Sequence, residues 1–141
     1  MAVRSTADAE WKGSLKEGGG EVRFGNGAYH GQFTFASRFE TGKGTNPEEL
    51  IAAAHASCYS MQLSGLLTAG GHPPTSIHTN AVVTIEAGVG ITAIALETTA
   101  EVPGLAEPAF LEAAGKAKEI CPVSKALAAV KNITLKATLK S

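Results

Sequence analysis

The chain carries two cysteines, Cys58 and Cys121, in different settings. Cys58 lies in GTNPEELIAAAHASCYSM, within a run of small apolar residues, and Cys121 opens CPVSKALAAV, directly ahead of a proline. A single buried cysteine is most simply a small hydrophobe. Two of them, and no others, are the minimal set for a thiol peroxidase: one is oxidised to a sulfenic acid and the other condenses with it as a disulfide. By local rules Cys121 is the better thiolate, because a helix N-terminus lowers a cysteine's pKa. Burial among alanines raises that of Cys58 unless a cation approaches from elsewhere.

Other residues offer weaker chemistry. His55 and Cys58 share a side of a helix and could touch one metal, but no CxxC or HxxxH pair accompanies them. His55 reads instead as a hydrogen-bonded structural histidine, and neither metal nor cofactor is expected. Gly42-Lys43-Gly44 precedes a helix start, yet a phosphate loop fails: the third glycine of GxGxxG would fall on Pro47, and Glu48 and Glu49 would repel an anion. A flexible turn is the expected reading.

The elements that must position the cysteines follow from pattern. Short apolar segments, Trp11 to Leu15, Val22 to Phe24 and Gln32 to Phe39, are separated by glycines and read as antiparallel strands. FTFASRF alternates Phe33, Phe35, Ser37 and Phe39 against Thr34, Ala36 and Arg38, which predicts a strand with Arg38 opposite the phenylalanines. Asn46 as N-cap, Pro47 in the first turn and Glu48 and Glu49 at the positive end of the dipole predict a helix from Pro47 to about Ala69, where Gly70 and Gly71 stop it. Apolar residues occupy nearly every side of it, so it should be buried. Ser76 to Ile85 and Ile91 to Val102 predict a hairpin around Ala87 to Gly90. A helix after Pro108, a short one from Pro122 capped by Cys121, and a strand from Ile133 to Leu139 complete the order β-β-β-α-β-β-α-α-β. Strands in neighbouring hairpins point to an α+β fold with antiparallel sheets.

At 141 residues, 44% apolar and 18% charged, the chain reads as one globular domain over residues 1–141. A formal net charge of −1, with scattered Lys and Arg, argues against a nucleic-acid or anionic-membrane partner. No secretory signal or membrane-spanning run is visible, so a cytoplasmic protein with reduced thiols is expected. A helix apolar all round needs cover that one small sheet cannot supply, and a second copy of the chain is the economical source. A homodimer is therefore expected.

SRFETGKGTNPEELIAAAHASCYSM, PTSIHTNAVVTIE and AKEICPVSKAL, with Glu10-Trp11-Lys12-Gly13 ahead of them, together resemble the OsmC/Ohr superfamily of thiol-dependent hydroperoxide reductases, the OsmC branch more than the Ohr branch. The resemblance implies an OsmC-like fold, an intertwined homodimer with long central helices and two active sites at the subunit interface. It implies that Cys58 attacks the peroxide and Cys121 resolves the sulfenate, with Arg38 and Glu48 completing the catalytic set, in defence against oxidative or osmotic stress. This reverses the local reading of which cysteine attacks. Arg38 would supply the missing cation, and Glu48 would hold its guanidinium through two parallel hydrogen bonds. Glu48 and Cys58 lie about 15 Å apart along one helix, so Arg38 and Glu48 of one subunit are expected to serve Cys58 of the other. The implied partners are a hydroperoxide, organic by preference, and an external dithiol such as a lipoyl-protein. Two other readings remain open: a dithiol/disulfide oxidoreductase acting on proteins, and a redox-sensing or small-molecule-binding domain.

Overall fold

A computed structural model describes residues 1–140. The element order is β1 (Ala7–Lys12), β2 (Gly19–Phe24), β3 (His30–Phe33), α1 (Phe35–Phe39), α2 (Pro47–Ala69), β4 (Ser76–Glu86), β5 (Gly90–Glu101), α3 (Glu107–Ile120), α4 (Pro122–Ala126) and β6 (Ile133–Lys140). The fold is α+β with two three-stranded sheets. The chain divides into two compact units, residues Met1–Leu50 and the remainder from Ile51.

In the first unit β1, β2 and β3 pair antiparallel in that order. Their register sets Trp11, Gly20 and Phe33 side by side, and the Trp11 and Phe33 rings meet at 5.5 Å between centroids. A Cβ on Gly20 would fall 2.5 Å from the Phe33 ring and 2.8 Å from Trp11, so only glycine lets the rings close over the sheet. The Trp11 to Leu15 segment is a strand only as far as Lys12, and Leu15 is exposed.

The strand expected through FTFASRF ends at Phe33, and Phe35–Phe39 is a helix. Thr34 and Ser37 form a reciprocal capping box: the Ser37 N–H donates to Thr34 Oγ1 (3.0 Å) and the Thr34 N–H to Ser37 Oγ (2.8 Å). Phe35 and Phe39, one turn apart, stack at 5.1 Å. Arg38 therefore leaves a helix, with its guanidinium 5.1 Å from the Phe39 ring centroid.

The start of α2 follows the sequence reading. Asn46 Oδ1 accepts from the Glu49 N–H at 2.7 Å, and Asn46 Nδ2 donates to the Ser37 carbonyl at 2.9 Å, so the N-cap also ties down α1. Gly44, at φ +113°, passes so close to β3 that a Cβ would fall 2.5 Å from the Gln32 carbonyl oxygen.

In the second unit β4 and β5 form the expected hairpin, and β5 is the central strand. β6 pairs with β5 in parallel, which corrects the expectation of antiparallel sheets throughout. The reason is the α3–α4 connection, a crossover that returns the chain to the end from which β5 started. Ile94, Leu96, Thr98 and Ala100 alternate along the buried face of β5, and Phe110, Ala114 and Ala117 form the buried stripe of α3. Beyond its first turn, α2 buries His55, Tyr59, Leu63 and Leu67, one residue per turn. Ala53, Ala54, Ser57 and Met61 are exposed, so the helix expected to be buried all round is covered on one side only in the single chain. Among the described residues no helix is long and apolar enough to cross a membrane.

Candidate active site

Arg38 and Glu48 meet in the first unit. Arg38 Nε donates to Glu48 Oε1 at 3.1 Å and Nη2 to Oε2 at 3.0 Å, a two-point fork. The Glu48 side chain is 7% exposed and that of Arg38 38%, so the carboxylate is held inside while the outer guanidinium edge stays open. The capping box aims Arg38, and its place in the first turn of α2 aims Glu48. Beside Arg38 lies a largely apolar recess of about 260 Å³ walled by Trp11, Leu15, Phe33, Phe35 and Phe39. It suits an organic group better than water alone.

The two cysteines meet in the second unit. Both are free, Cys121 fully buried and Cys58 partly so. Cys58 packs against the buried cluster that contains Cys121, and each thiol shifts the titration of the other, although neither lies near the other in sequence. Cys58 lines an open recess of about 530 Å³ with Ala54, Ser57, Met61, Gln62 and Pro122. An oxidant arriving from outside meets Cys58 first.

Their electrostatics run the other way. Burial raises the Cys58 thiol, and the neighbouring Cys121 adds to that, with the Val123 N–H opposing. Burial also acts to raise Cys121. The Ser124 N–H, the Cys58 thiol, the Ser124 hydroxyl and the Val123 N–H outweigh it, and the net direction is down. Cys121 sits at the N-cap of α4 without a strict side-chain cap bond, but the amide dipoles of that first turn still favour a negative sulfur. The local sequence reading of Cys121 as the readier thiolate thus agrees with its surroundings in the single chain.

Three further residues surround the pair. The Tyr59 hydroxyl donates to the Ala114 carbonyl at 2.9 Å, and its pKa is pushed up, first by burial and then by Cys121. His55 Nε2 lies 2.7 Å from Ser124 Oγ, so the histidine has a protein partner as expected. Burial lowers its pKa, which keeps the ring neutral. Ser124 was not singled out in the sequence; its signal is its place in CPVS, in the first turn after a cysteine cap. No group of three or more His, Cys, Asp or Glu able to hold a metal occurs among the described residues.

A family model of OsmC-like proteins matches residues 40–136, which include Glu48 and both cysteines. The chain belongs to the OsmC family. Peroxiredoxin OsmC of Escherichia coli is 46% identical over 145 residues, with all of both chains covered. Among solved structures, the OsmC-like protein of Mycoplasma pneumoniae matches with a TM-score of 0.77 and 17% identity over all of both chains. An organic hydroperoxide resistance protein from Elizabethkingia anophelis matches with a TM-score of 0.66 and 25% identity over 100% of this chain and 99% of that one. Both solved structures share the α+β fold of this chain.

Proposed function

We propose that this OsmC-family protein is a cysteine-based peroxidase that reduces hydroperoxides, organic ones by preference, to alcohols. The observation that carries the reading is the packing of two free cysteines in one cluster, Cys58 lining a recess open to the outside and Cys121 buried. The names of the Escherichia coli peroxiredoxin and the Elizabethkingia hydroperoxide resistance protein support the same chemistry. The Cys58 thiolate attacks the terminal peroxide oxygen of ROOH; the O–O bond breaks, the alkoxide leaves and takes a proton, and Cys58 becomes a sulfenic acid. The Cys121 thiolate attacks the Cys58 sulfur, expels hydroxide, which is protonated to water, and forms the disulfide. An external dithiol, a lipoyl-protein being one such carrier, returns both thiols by exchange and leaves as its own disulfide.

Arg38, held by Glu48, stabilises the attacking thiolate. The separation of Glu48 and Cys58 along α2 and the exposed apolar stripe of that helix support a homodimer in which Arg38 and Glu48 serve the partner's Cys58. On this reading residues 1–141 act as one functional domain in each subunit.

The test is stopped-flow oxidation of the reduced protein by one equivalent of an alkyl hydroperoxide, followed by mass spectrometry. The expected result is loss of two hydrogens, confined to Cys58 and Cys121, with sustained peroxide consumption once a dithiol is supplied. Reduction of protein disulfides without peroxide would instead identify a dithiol exchange protein. Oxidation without turnover would identify a sensor.

A further inference from the structure

His55 and Ser124 have no part in the chemistry above, yet both are buried and hydrogen-bonded to each other. His55 is 0% exposed and Ser124 8%, and their polar atoms stand 2.7 Å apart. An apolar pair would fill the same space without desolvating an imidazole and a hydroxyl, so packing alone does not account for them. Position does suggest a reason. His55, Cys58 and Tyr59 lie on one side of α2 by their spacing, and Ser124 lies in the turn that Cys121 caps.

We propose that His55 and Ser124 are positioning residues for Cys121, with the His55 Nε2–H donating to Ser124 Oγ so that the serine hydroxyl hydrogen is left to point at the Cys121 sulfur. This rests on the proposed peroxidase reading and assigns the second of its steps a built-in aid. The direction of the hydrogen bonds follows from counting. A serine hydroxyl has one hydrogen; if it donated to His55 it could not also donate to sulfur. The tautomer with Nε2–H leaves Nδ1 as a bare lone pair, and Nδ1 is the buried side-chain atom without a hydrogen-bond partner among the described residues. A bare acceptor is the less costly of the two orphans, since stranded N–H groups are the rarer in folded proteins.

The relay moves no proton. It holds the sulfur as an anion and aims it at the Cys58 sulfenic acid, whose S–O bond breaks as the S–S bond forms and hydroxide departs. Cys58 and Tyr59, both on α2, are the titratable groups coupled to Cys121; Lys118 and Glu119 at the end of α3 and Lys125 on the cap's own helix line one recess with Ser124, and Lys125 is exposed. The Ser124 hydroxyl acts on Cys121 in the same sense as the amides of its turn.

The test reads the thiolate directly. In a Cys58→Ser background, thiolate absorbance against pH reports Cys121 alone, with no need for peroxidase activity. Ser124→Ala should lower the thiolate-to-thiol ratio about tenfold at a fixed pH, as loss of one hydrogen bond to a charged atom implies. Ser124→Thr, which keeps the hydroxyl, should restore it. His55→Gln, which keeps an N–H donor, should stay close to the parent, whereas His55→Leu should follow Ser124→Ala. With both cysteines present, Ser124→Ala should slow disulfide formation and shift its pH profile upward, while sulfenate formation keeps its rate. An unchanged Cys121 titration in Ser124→Ala, or failure of Ser124→Thr to restore it, overturns the proposal. Failure of the peroxidase reading would appear separately, as absence of peroxide consumption with the titrations as expected.

Discussion

Arg38→Lys is the most discriminating perturbation, because it keeps the charge and removes the geometry. The guanidinium meets Glu48 through two nitrogens at 3.1 and 3.0 Å, and a lysine ammonium cannot span both oxygens while presenting a second edge to a thiolate. One charge-assisted hydrogen bond and the fixed orientation are lost. A bond of that kind contributes about 1.5 to 3 kcal/mol, and the 38% exposure of the Arg38 side chain argues for the lower end because solvent screens the pair. About 1.5 kcal/mol corresponds to roughly tenfold in rate if the lost interaction acts in the transition state. The assay is single-turnover stopped flow under excess alkyl hydroperoxide, reading the second-order rate constant of sulfenate formation, with thermal unfolding as a control on integrity. The expected outcome is about a tenfold slower peroxide step with disulfide formation unaltered. Arg38→Met should cost more, since it also leaves the largely buried Glu48 carboxylate unpaired. A peroxide step in Arg38→Lys within twofold of the parent, with an intact fold, would refute the role given to the fork.

Four further outcomes are expected. Mixing inactive Cys58→Ser and Arg38→Ala subunits should regain activity, because each mixed dimer restores one complete site; no recovery in a confirmed mixed dimer would refute service across subunits. Phe110→Ala, at a fully buried position on α3, should destabilise the protein by about 3 to 5 kcal/mol in urea unfolding. Because burial lowers the pKa of His55 from 6.5, the unfolded chain takes up a proton below about pH 6.5 that the folded chain refuses; stability should fall as pH drops through that value. His55→Gln should flatten the fall, and an unchanged pH profile of melting would remove His55 as its source. Gly44→Ala should lower stability by about 1 to 3 kcal/mol, from a strained positive φ and the clash with the Gln32 carbonyl.

Where the sequence reading succeeded, the signal was local chemistry. Asn46-Pro47-Glu48-Glu49 starts α2 and Gly70 closes it, and the cap bond to Glu49 is the one that residue types foretell. Where it failed, two local signals competed or the information was not local. Phe35 and Phe39 satisfy both the two-residue period of a strand and the four-residue step of a helix, and the Thr34–Ser37 box decides between them. Residue alternation in β6 identifies a strand with one buried face but is silent about direction; the two helices between β5 and β6 are what make a parallel return possible. Arg38 and Glu48 could be named only through the family resemblance, since a strand charge and a first-turn acid have ordinary structural uses. The fork between them needs both α1 and the turn at Gly44, and neither is legible from spacing.

The disagreement over which cysteine attacks comes down to access and order. Two adjacent thiols do not ionise independently; a charge on one raises the other, and in the single chain the charge settles on Cys121. Yet Cys121 is fully buried, whereas Cys58 lines a recess open to solvent, so the readier anion is not the sulfur that a peroxide can reach. On the proposed mechanism a guanidinium brought to Cys58 transfers the preference for charge from the buried sulfur to the reachable one for the first step. Once Cys58 is a sulfenic acid it carries no charge to oppose its neighbour, and the amides and hydroxyl around Cys121 regain control for the second. The lowered pKa of Cys121 then belongs to the resolving step, and the cation is what sets the two steps in sequence.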